Sequence, residues 1–180
     1  MSCQLRWMAD VMLLRMRFVI GDENPCGNSQ AKFHNAMKAI GVAKTIILGV
    51  LGLDAHVVGN KIIAQALNDA GFKVVNLGTF VLAEDFIKAA IETNADAILI
   101  GSLCGHGELD CQGFREKCIE AGKGNIHLVV GGNIVVGKQD WDSVHERFIK
   151  MGFNRAYPPG IAINTIISDL KKDLGLADES

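Results

Sequence analysis

An aspartate and a histidine two positions apart are the residues of this chain best suited to chemistry. Asp54-Ala-His56-Val-Val-Gly59 directly follows the apolar run at 45–50, so both side chains belong to the loop that leaves a predicted buried strand. A carboxylate that accepts the N–H of one imidazole nitrogen orients the ring and leaves the other nitrogen to bind a metal. Because no second protein ligand lies nearby, the pattern favours a metal that arrives with most of its coordination filled, as in a corrin, over a bare zinc ion.

Plainer interpretations of the same residue types stay open at this point. His56 is also consistent with an ordinary loop histidine paired with a nearby acid, and Asp54 with an N-terminal cap of the following helix. Gly131-Gly132 is consistent with a tight turn between a strand and a helix. A further cluster of titratable residues comprises His106, Glu108 and Asp110. We expect this cluster to form a solvated rim or a subunit contact rather than to have an acid–base role.

Composition and charge indicate one globular domain and exclude several functions. The chain has 180 residues, of which 49% are hydrophobic and 21% charged. A formal net charge of -2 predicts neither a nucleic-acid nor an anionic-membrane partner, and no apolar run reaches the roughly 18 residues of a membrane-spanning helix. The five cysteines are odd in number and lack CxxC spacing, which argues against a disulfide framework and a zinc knuckle and indicates the cytoplasm.

Short apolar runs alternate with amphipathic stretches from Lys44 onward, which predicts a parallel sheet covered by helices on both faces. The fold expected for residues 41–180 is therefore α/β, a single flavodoxin-like (Rossmann-like), doubly wound, five-stranded parallel sheet with strand order 2-1-3-4-5. Strands are predicted at 45–50, 73–77, 97–100, 126–130 and 155–157, and helices at 57–70, 83–93, 109–121, 140–151 and 161–174. Residues 1–40 lack a coherent period and are predicted to be an irregular extension, either disordered or the product of a misread start upstream of Met37.

The predicted elements bring three unusual loops to one edge of the sheet. In this fold, ligands bind outside the carboxyl ends of the strands, at the switch point between the first and third strands. The loops at 51–59, 101–107 and 131–137 combine glycines with polar residues and follow strands one, three and four. In the first helix, the stripe Val58, Ile62, Ala66 and Ala70 is expected to face the core.

These loops carry the motif of a known family. Asp54-x-His56-x-x-Gly59, Gly101-Ser102-Leu103 and Gly131-Gly132 resemble, in order and spacing, the signature DxHxxG…SxL…GG of cobalamin-dependent mutases and methionine synthase. Longer stretches narrow the resemblance to one family within this group. The small, cobalamin-binding (sigma) subunit of glutamate mutase (methylaspartate mutase) is similar to this chain at residues 70–78, 86–93 and 130–139. The resemblance covers about residues 44–175.

The resemblance implies a role for each matching residue. His56 would be the lower axial ligand to the cobalt of adenosylcobalamin, in place of the dimethylbenzimidazole of the cofactor, and Asp54 would hold the far nitrogen of its ring. Gly59 would leave room for the displaced nucleotide tail between the first helix and the sheet. The remaining cofactor-binding residues that the resemblance implies are Leu53, Ala55, Val57, Gly101, Ser102, Leu103, Gly131, Gly132, Asn133, Ile134, Val135, Val136, Gly137, Tyr157, Pro159 and Gly160.

The same resemblance implies an activity that this chain shares with a partner. A larger barrel (epsilon) subunit would bind L-glutamate, the two subunits would form a heterotetramer, and the reaction would rearrange L-glutamate to threo-3-methylaspartate. The chain would then be part of an isomerase, an intramolecular transferase, and would contribute no catalytic residue beyond its hold on the cofactor.

Two positions depart from the family pattern. Gly101 stands where the signature has serine, and Ile161 stands where the loop that closes over the nucleotide often has threonine after Pro-Gly. Loss of the serine hydroxyl removes one hydrogen bond to the displaced base, worth about 0.5–1.5 kcal/mol. We therefore expect somewhat weaker cofactor binding, or tolerance of a different lower base.

Three other functions are alternatives to the mutase subunit. A corrinoid carrier of a methyltransferase system usually has a helical domain before its cobalamin fold, and forty irregular residues are too short for a helix bundle. A response-regulator receiver, one form of a flavodoxin-like module without cobalamin, needs an aspartate at the end of strand three, where Gly101-Ser102 stands. A dinucleotide-binding domain is disfavoured because no GxGxxG follows strand one.

Overall fold

The computed structural model describes residues 43–176, which form a five-stranded, wholly parallel sheet of order β2-β1-β3-β4-β5. The strands are β1 (Thr45–Val50), β2 (Lys73–Asn76), β3 (Ala97–Ser102), β4 (His127–Gly132) and β5 (Arg155–Tyr157). The helices are α1 (Val57–Asp69), α2 (Ala83–Glu92), α3 (Gly107–Asp110), α4 (Phe114–Glu120), α5 (Trp141–Lys150) and α6 (Ile163–Asp173). The predicted flavodoxin-like topology is confirmed, whereas the predictions for residues 1–40 lie outside the described residues.

The sheet is covered on both faces, which explains why its central strands are almost continuously apolar. One face packs against α2, α4 and α5, whose phenylalanines Phe86, Phe114 and Phe148 are fully buried. The other face packs against α1 and α6 through Leu67 and Leu170. Within the described residues, no helix combines the length and apolar character needed to cross a membrane.

The register brings the ends of three strands together at the carboxyl edge. Val50 at the end of β1 is paired with Gly101 of β3, and Gly101 is paired with Gly131 of β4. The strand order reverses at β1, because β2 is added on one side of β1 and β3 on the other. The loops after β1, β3 and β4 therefore converge at the switch point, as the sequence predicts.

Several elements differ from their predicted bounds, one helix and two strands most clearly. The helix predicted over 109–121 is divided into α3 and α4, because Gly113 lies between them in the left-handed conformation with φ +70°. Strands β3 and β4 run two residues further than predicted, because Ser102 pairs with Gly132 and prolongs the ladder through residues of low strand propensity.

Candidate functional site

The site is built around Asp54, a carboxylate with only 1% of its surface exposed. Its Oδ1 accepts hydrogen bonds from His56 N (2.9 Å) and His56 Nδ1 (2.5 Å). Its Oδ2 accepts from the backbone N–H groups of Leu103 (2.6 Å) and Cys104 (3.1 Å), at the end of β3. One buried side chain thus joins the loop after β1 to the loop after β3.

These hydrogen bonds keep Asp54 ionised. Burial alone raises the pKa of the carboxyl, but the N–H donors of Leu103, His56 and Cys104 together outweigh it and lower the pKa to about 2. An ionised carboxylate accepts hydrogen bonds only, so the ring proton of His56 resides on Nδ1. The Nε2 atom is then left with a free lone pair, the form of imidazole that binds a metal.

His56 is the N-cap residue of α1, and 59% of its side chain is exposed. The first helical turn therefore starts at the ring that would bind the metal, and Asp54 acts on this ring rather than as the N-cap itself. Within residues 43–176, no group of three or more His, Cys, Asp or Glu side chains is arranged to hold a metal ion. A metal bound by His56 would therefore need further ligands from elsewhere, which fits a metal that carries its own equatorial ligands.

A slot of about 270 Å³ opens beside His56, between α1, α6 and the sheet. We call this cavity the tail slot. Apart from His56, Asn60, Ser102 and Tyr157, its lining consists of apolar residues and glycines. Its full lining is Leu48, Val50, His56, Gly59, Asn60, Ile62, Ile63, Leu99, Ile100, Gly101, Ser102, Leu103, Val129, Gly131, Gly132, Tyr157, Pro158, Pro159, Gly160, Ile161, Ile163 and Ile166.

The predicted stripe of α1 is confirmed at Ala70, which packs against the core, and is wrong at Val58 and Ile62. Val58 is 68% exposed and Ile62 is 52% exposed, whereas Leu67 in the following turn is fully buried. Ile62 borders the tail slot, so this part of α1 does not pack directly on the sheet. The periodicity identified apolar positions correctly, but it assigned to the core a residue that borders the cavity.

Most of the predicted site residues lie at this edge, in three different environments. Those that line the tail slot are His56, Gly59, Gly101, Ser102, Leu103, Gly131, Gly132, Tyr157, Pro159 and Gly160. Those that are exposed around the tail slot are Leu53, Ala55, Val57, Asn133, Val136 and Gly137; Val57 is the first residue of α1, and the others lie in loops. Ile134 and Val135 are buried in the core cluster with α2, α4 and α5, and neither lines the tail slot.

Gly132 and Gly101 of the motif differ in whether the backbone requires glycine. A Cβ at Gly132 would overlap the carbonyl oxygen of Ser102, and φ there is +109°, so a tight turn alone requires this glycine. A Cβ at Gly101 would lie 3.6 Å from the carbonyl oxygen of Gly49 and 3.7 Å from Val50 Cγ2, which are ordinary contacts. The backbone therefore does not require glycine at position 101, and its missing side chain leaves room in the wall of the tail slot.

Asn60 is a slot residue that the sequence analysis missed. It is 6% exposed, and its Nδ2 donates to Asn76 Oδ1 (2.8 Å) and to the carbonyl oxygen of Gly78 (3.2 Å). Its Oδ1 is buried and has no hydrogen-bond partner among the described residues, at a cost of about 1–3 kcal/mol. The signal in the sequence was a polar residue four positions after His56, which places it on the same face of α1.

Tyr157 forms a fixed part of the slot wall. It is 8% exposed, and its hydroxyl donates to Asp169 Oδ2 (2.8 Å), which also accepts from Arg155 Nη1 (2.9 Å). Burial and the bond to Asp169 raise the pKa of the Tyr157 hydroxyl, so it stays protonated. Asp169 and Arg155 thus hold the ring between β5 and α6, which the sequence analysis did not foresee.

The other residues that the sequence singles out have structural contacts of their own. Glu108 accepts two hydrogen bonds from Arg147 of α5 (2.7 and 3.0 Å), so it joins α3 to α5. Cys111 and Cys118 are fully buried, and burial raises the pKa of Cys118 to about 11. Ile161, one of the two departures from the family pattern, borders the tail slot and packs against the core on the α1 and α6 face.

Comparison with known proteins gives matches in sequence and in structure. The B12 binding domain family model matches residues 44–146. A Clostridium tetanomorphum protein named glutamate mutase sigma subunit is 59% identical over 133 residues, which is 74% of this chain and 97% of the relative. A protein of the same name from Treponema denticola is 60% identical over 128 residues, 71% of this chain and 92% of the relative.

Among solved structures, the monomethylamine corrinoid protein of Methanosarcina barkeri matches with a TM-score of 0.59. The match covers 79% of this chain and 67% of that chain at 19% identity. This likeness shows a shared fold.

Proposed function

Because the chain belongs to the B12 binding domain family and, within it, to the glutamate mutase sigma subunits, we propose that it binds adenosylcobalamin and presents it to a larger catalytic subunit. The observation that carries the proposal is the pairing of buried Asp54 with exposed His56 at the mouth of an apolar slot. It provides one imidazole nitrogen with a free lone pair, and beside it a cavity suited to a flat, largely apolar group.

The residues present fit the cofactor. His56 Nε2 would bind cobalt, and Asp54 would keep the ring oriented and its proton on Nδ1. The tail slot would hold the nucleotide tail that His56 displaces, with Gly101, Gly131 and Tyr157 in its walls. When bound, adenosylcobalamin would supply homolytic cleavage of its cobalt–carbon bond, and the protein would supply position and a nitrogen ligand.

The proposed reaction is the rearrangement of L-glutamate to threo-3-methylaspartate, with L-glutamate bound by the larger barrel (epsilon) subunit in a heterotetramer. The names of the relatives, each a sigma subunit, support a partner of this kind. Exposed apolar residues at the carboxyl edge support a covered surface there, since Leu53 is 92% exposed and Val136 is 68% exposed. The cofactor would lie between this edge and the partner.

Reconstitution tests the proposed function. The purified chain, adenosylcobalamin and a glutamate mutase large subunit are combined with L-glutamate, and 3-methylaspartate is measured. We expect product only when both subunits are present, and a loss of product when His56→Ala replaces the wild-type chain. Turnover by this chain alone, or full turnover with His56→Ala, would refute the proposal.

A further inference from the structure

The polar side chains that line the tail slot differ in whether their hydrogen-bonding groups are paired. Both hydrogens of Asn60 Nδ2 are committed, to Asn76 and Gly78, and the Tyr157 hydroxyl is committed to Asp169. The Ser102 hydroxyl lies 3.8 Å from Cys104 Sγ, its contact within the described residues. Apart from His56 Nε2, the side-chain polar atom left over is Asn60 Oδ1, which is buried and accepts from no described residue.

The orientation of the Asn60 amide is fixed by its neighbours. Asn76 Oδ1 also accepts the N–H of Gly78 (2.9 Å), so it faces Asn60 as an acceptor and requires the NH₂ group of Asn60 on its side. The oxygen of the amide consequently lies away from Asn76 and Gly78. Asn60 is itself a lining residue, so the unpaired oxygen belongs to a side chain that borders an otherwise apolar cavity.

An unpaired buried acceptor in a binding cavity indicates a missing donor. We propose that Asn60 Oδ1 accepts a hydrogen bond from an O–H or N–H donor of the nucleotide tail, which makes Asn60 a specificity residue that distinguishes a corrinoid with a tail from one without. This inference rests on the proposed function. His56 acts on the cobalt and Asn60 on the tail, so the two contributions to binding are separable.

The test compares two corrinoids that differ in the tail. Cobalamin carries the nucleotide, whereas cobinamide has the same corrin and cobalt without it. Dissociation constants of the full chain for both are measured by spectral titration, for wild type and for Asn60→Leu. We expect Asn60→Leu to weaken cobalamin binding about twofold to tenfold, the range for one hydrogen bond, and to leave cobinamide binding unchanged.

A second variant separates recognition from the structural role of the same side chain. Asn76→Ala removes one of the two acceptors of Asn60 Nδ2, while the carbonyl oxygen of Gly78 still accepts from Nδ2 and keeps Asn60 Oδ1 in place. We expect Asn76→Ala to preserve the ratio of the two dissociation constants. The ratio within each variant is unaffected by a loss of folded protein, so it stays informative if either substitution destabilises α1.

Three results would overturn the inference. Equal weakening of both corrinoids by Asn60→Leu would show that Asn60 only positions α1 and His56. A ratio that changes as much with Asn76→Ala as with Asn60→Leu would assign the effect to the link with β2. Unchanged binding of both corrinoids by Asn60→Leu would show that Asn60 Oδ1 makes no contact with the tail, although cobalt binding would stand. If wild type bound neither corrinoid, the proposed function itself would fail.

Discussion

At the residue scale, Asp54 links the stability of the protein to the geometry of its site. Its pKa falls from 3.8 to about 2 on folding, so the folded state favours the carboxylate. This contribution, about 2 kcal/mol, is complete above the unfolded-state pKa and is lost as the pH falls through the folded-state value. The relevant window therefore runs from about pH 4 to about pH 2.

Substitution of Asp54 isolates this contribution. We expect Asp54→Asn to lower the free energy of unfolding by about 2 kcal/mol at pH 7, because an amide NH₂ would face the N–H donors of Leu103, Cys104 or His56. The difference from wild type should shrink as the pH falls below about 4. Urea unfolding at a series of pH values measures it.

The matched control is Asp142→Asn, an exposed acid in the first turn of α5, which should change the stability by less than about 0.5 kcal/mol. A difference between Asp54→Asn and wild type that stayed constant from pH 7 to pH 3 would contradict this account of Asp54.

Gly101 is the second position at which a single side chain is expected to matter. The space around a Cβ at this position is sufficient, and a serine hydroxyl would supply a donor to the tail slot. We expect Gly101→Ser to tighten cobalamin binding by about 0.5–1.5 kcal/mol. Spectral titration measures the effect, and Gly101→Ala, which adds the Cβ without the hydroxyl, is the control. Equal effects of serine and alanine would show that filled volume, not a hydrogen bond, decides the affinity.

At the scale of elements, the sequence was sufficient for the sheet because buried parallel strands are short continuous apolar runs. It was sufficient for the Asp54–His56 pair because both residues belong to one loop. The sequence did not predict which residues of α1 face the core. Periodicity assumes that a helix packs along its whole length, whereas Ile62 borders a cavity. It also failed at Gly113, whose left-handed conformation divides a helix that the periodicity treats as continuous.

The rest of the site depends on contacts between distant parts of the chain. The donors of Leu103 and Cys104 to Asp54 are backbone N–H groups 49 and 50 residues away, and any residue type except proline would supply them. The unpaired oxygen of Asn60 follows from its bonds to Asn76 and Gly78 after β2. A pattern of residue types contains neither fact, because both arise from the register of the sheet and the placement of α1.

At the scale of the whole molecule, residues 43–176 have the features of a cofactor-presenting module. The sheet and two core clusters hold the loops after β1, β3 and β4 at one edge. That edge carries the exposed imidazole of His56, an apolar cavity and exposed apolar residues such as Leu53. These features favour binding and presentation of a cofactor over substrate chemistry on this chain alone.

The most direct test of this account is a visible-spectrum titration of the chain with cobalamin, in parallel for wild type and His56→Ala. We predict that wild type gives the spectrum of cobalamin whose own base has left the cobalt and been replaced by a histidine nitrogen. We predict that this spectrum is absent with His56→Ala. The same histidine-bound spectrum with both proteins, or no spectral change with wild type, would contradict the assignment of His56 as the ligand to cobalt.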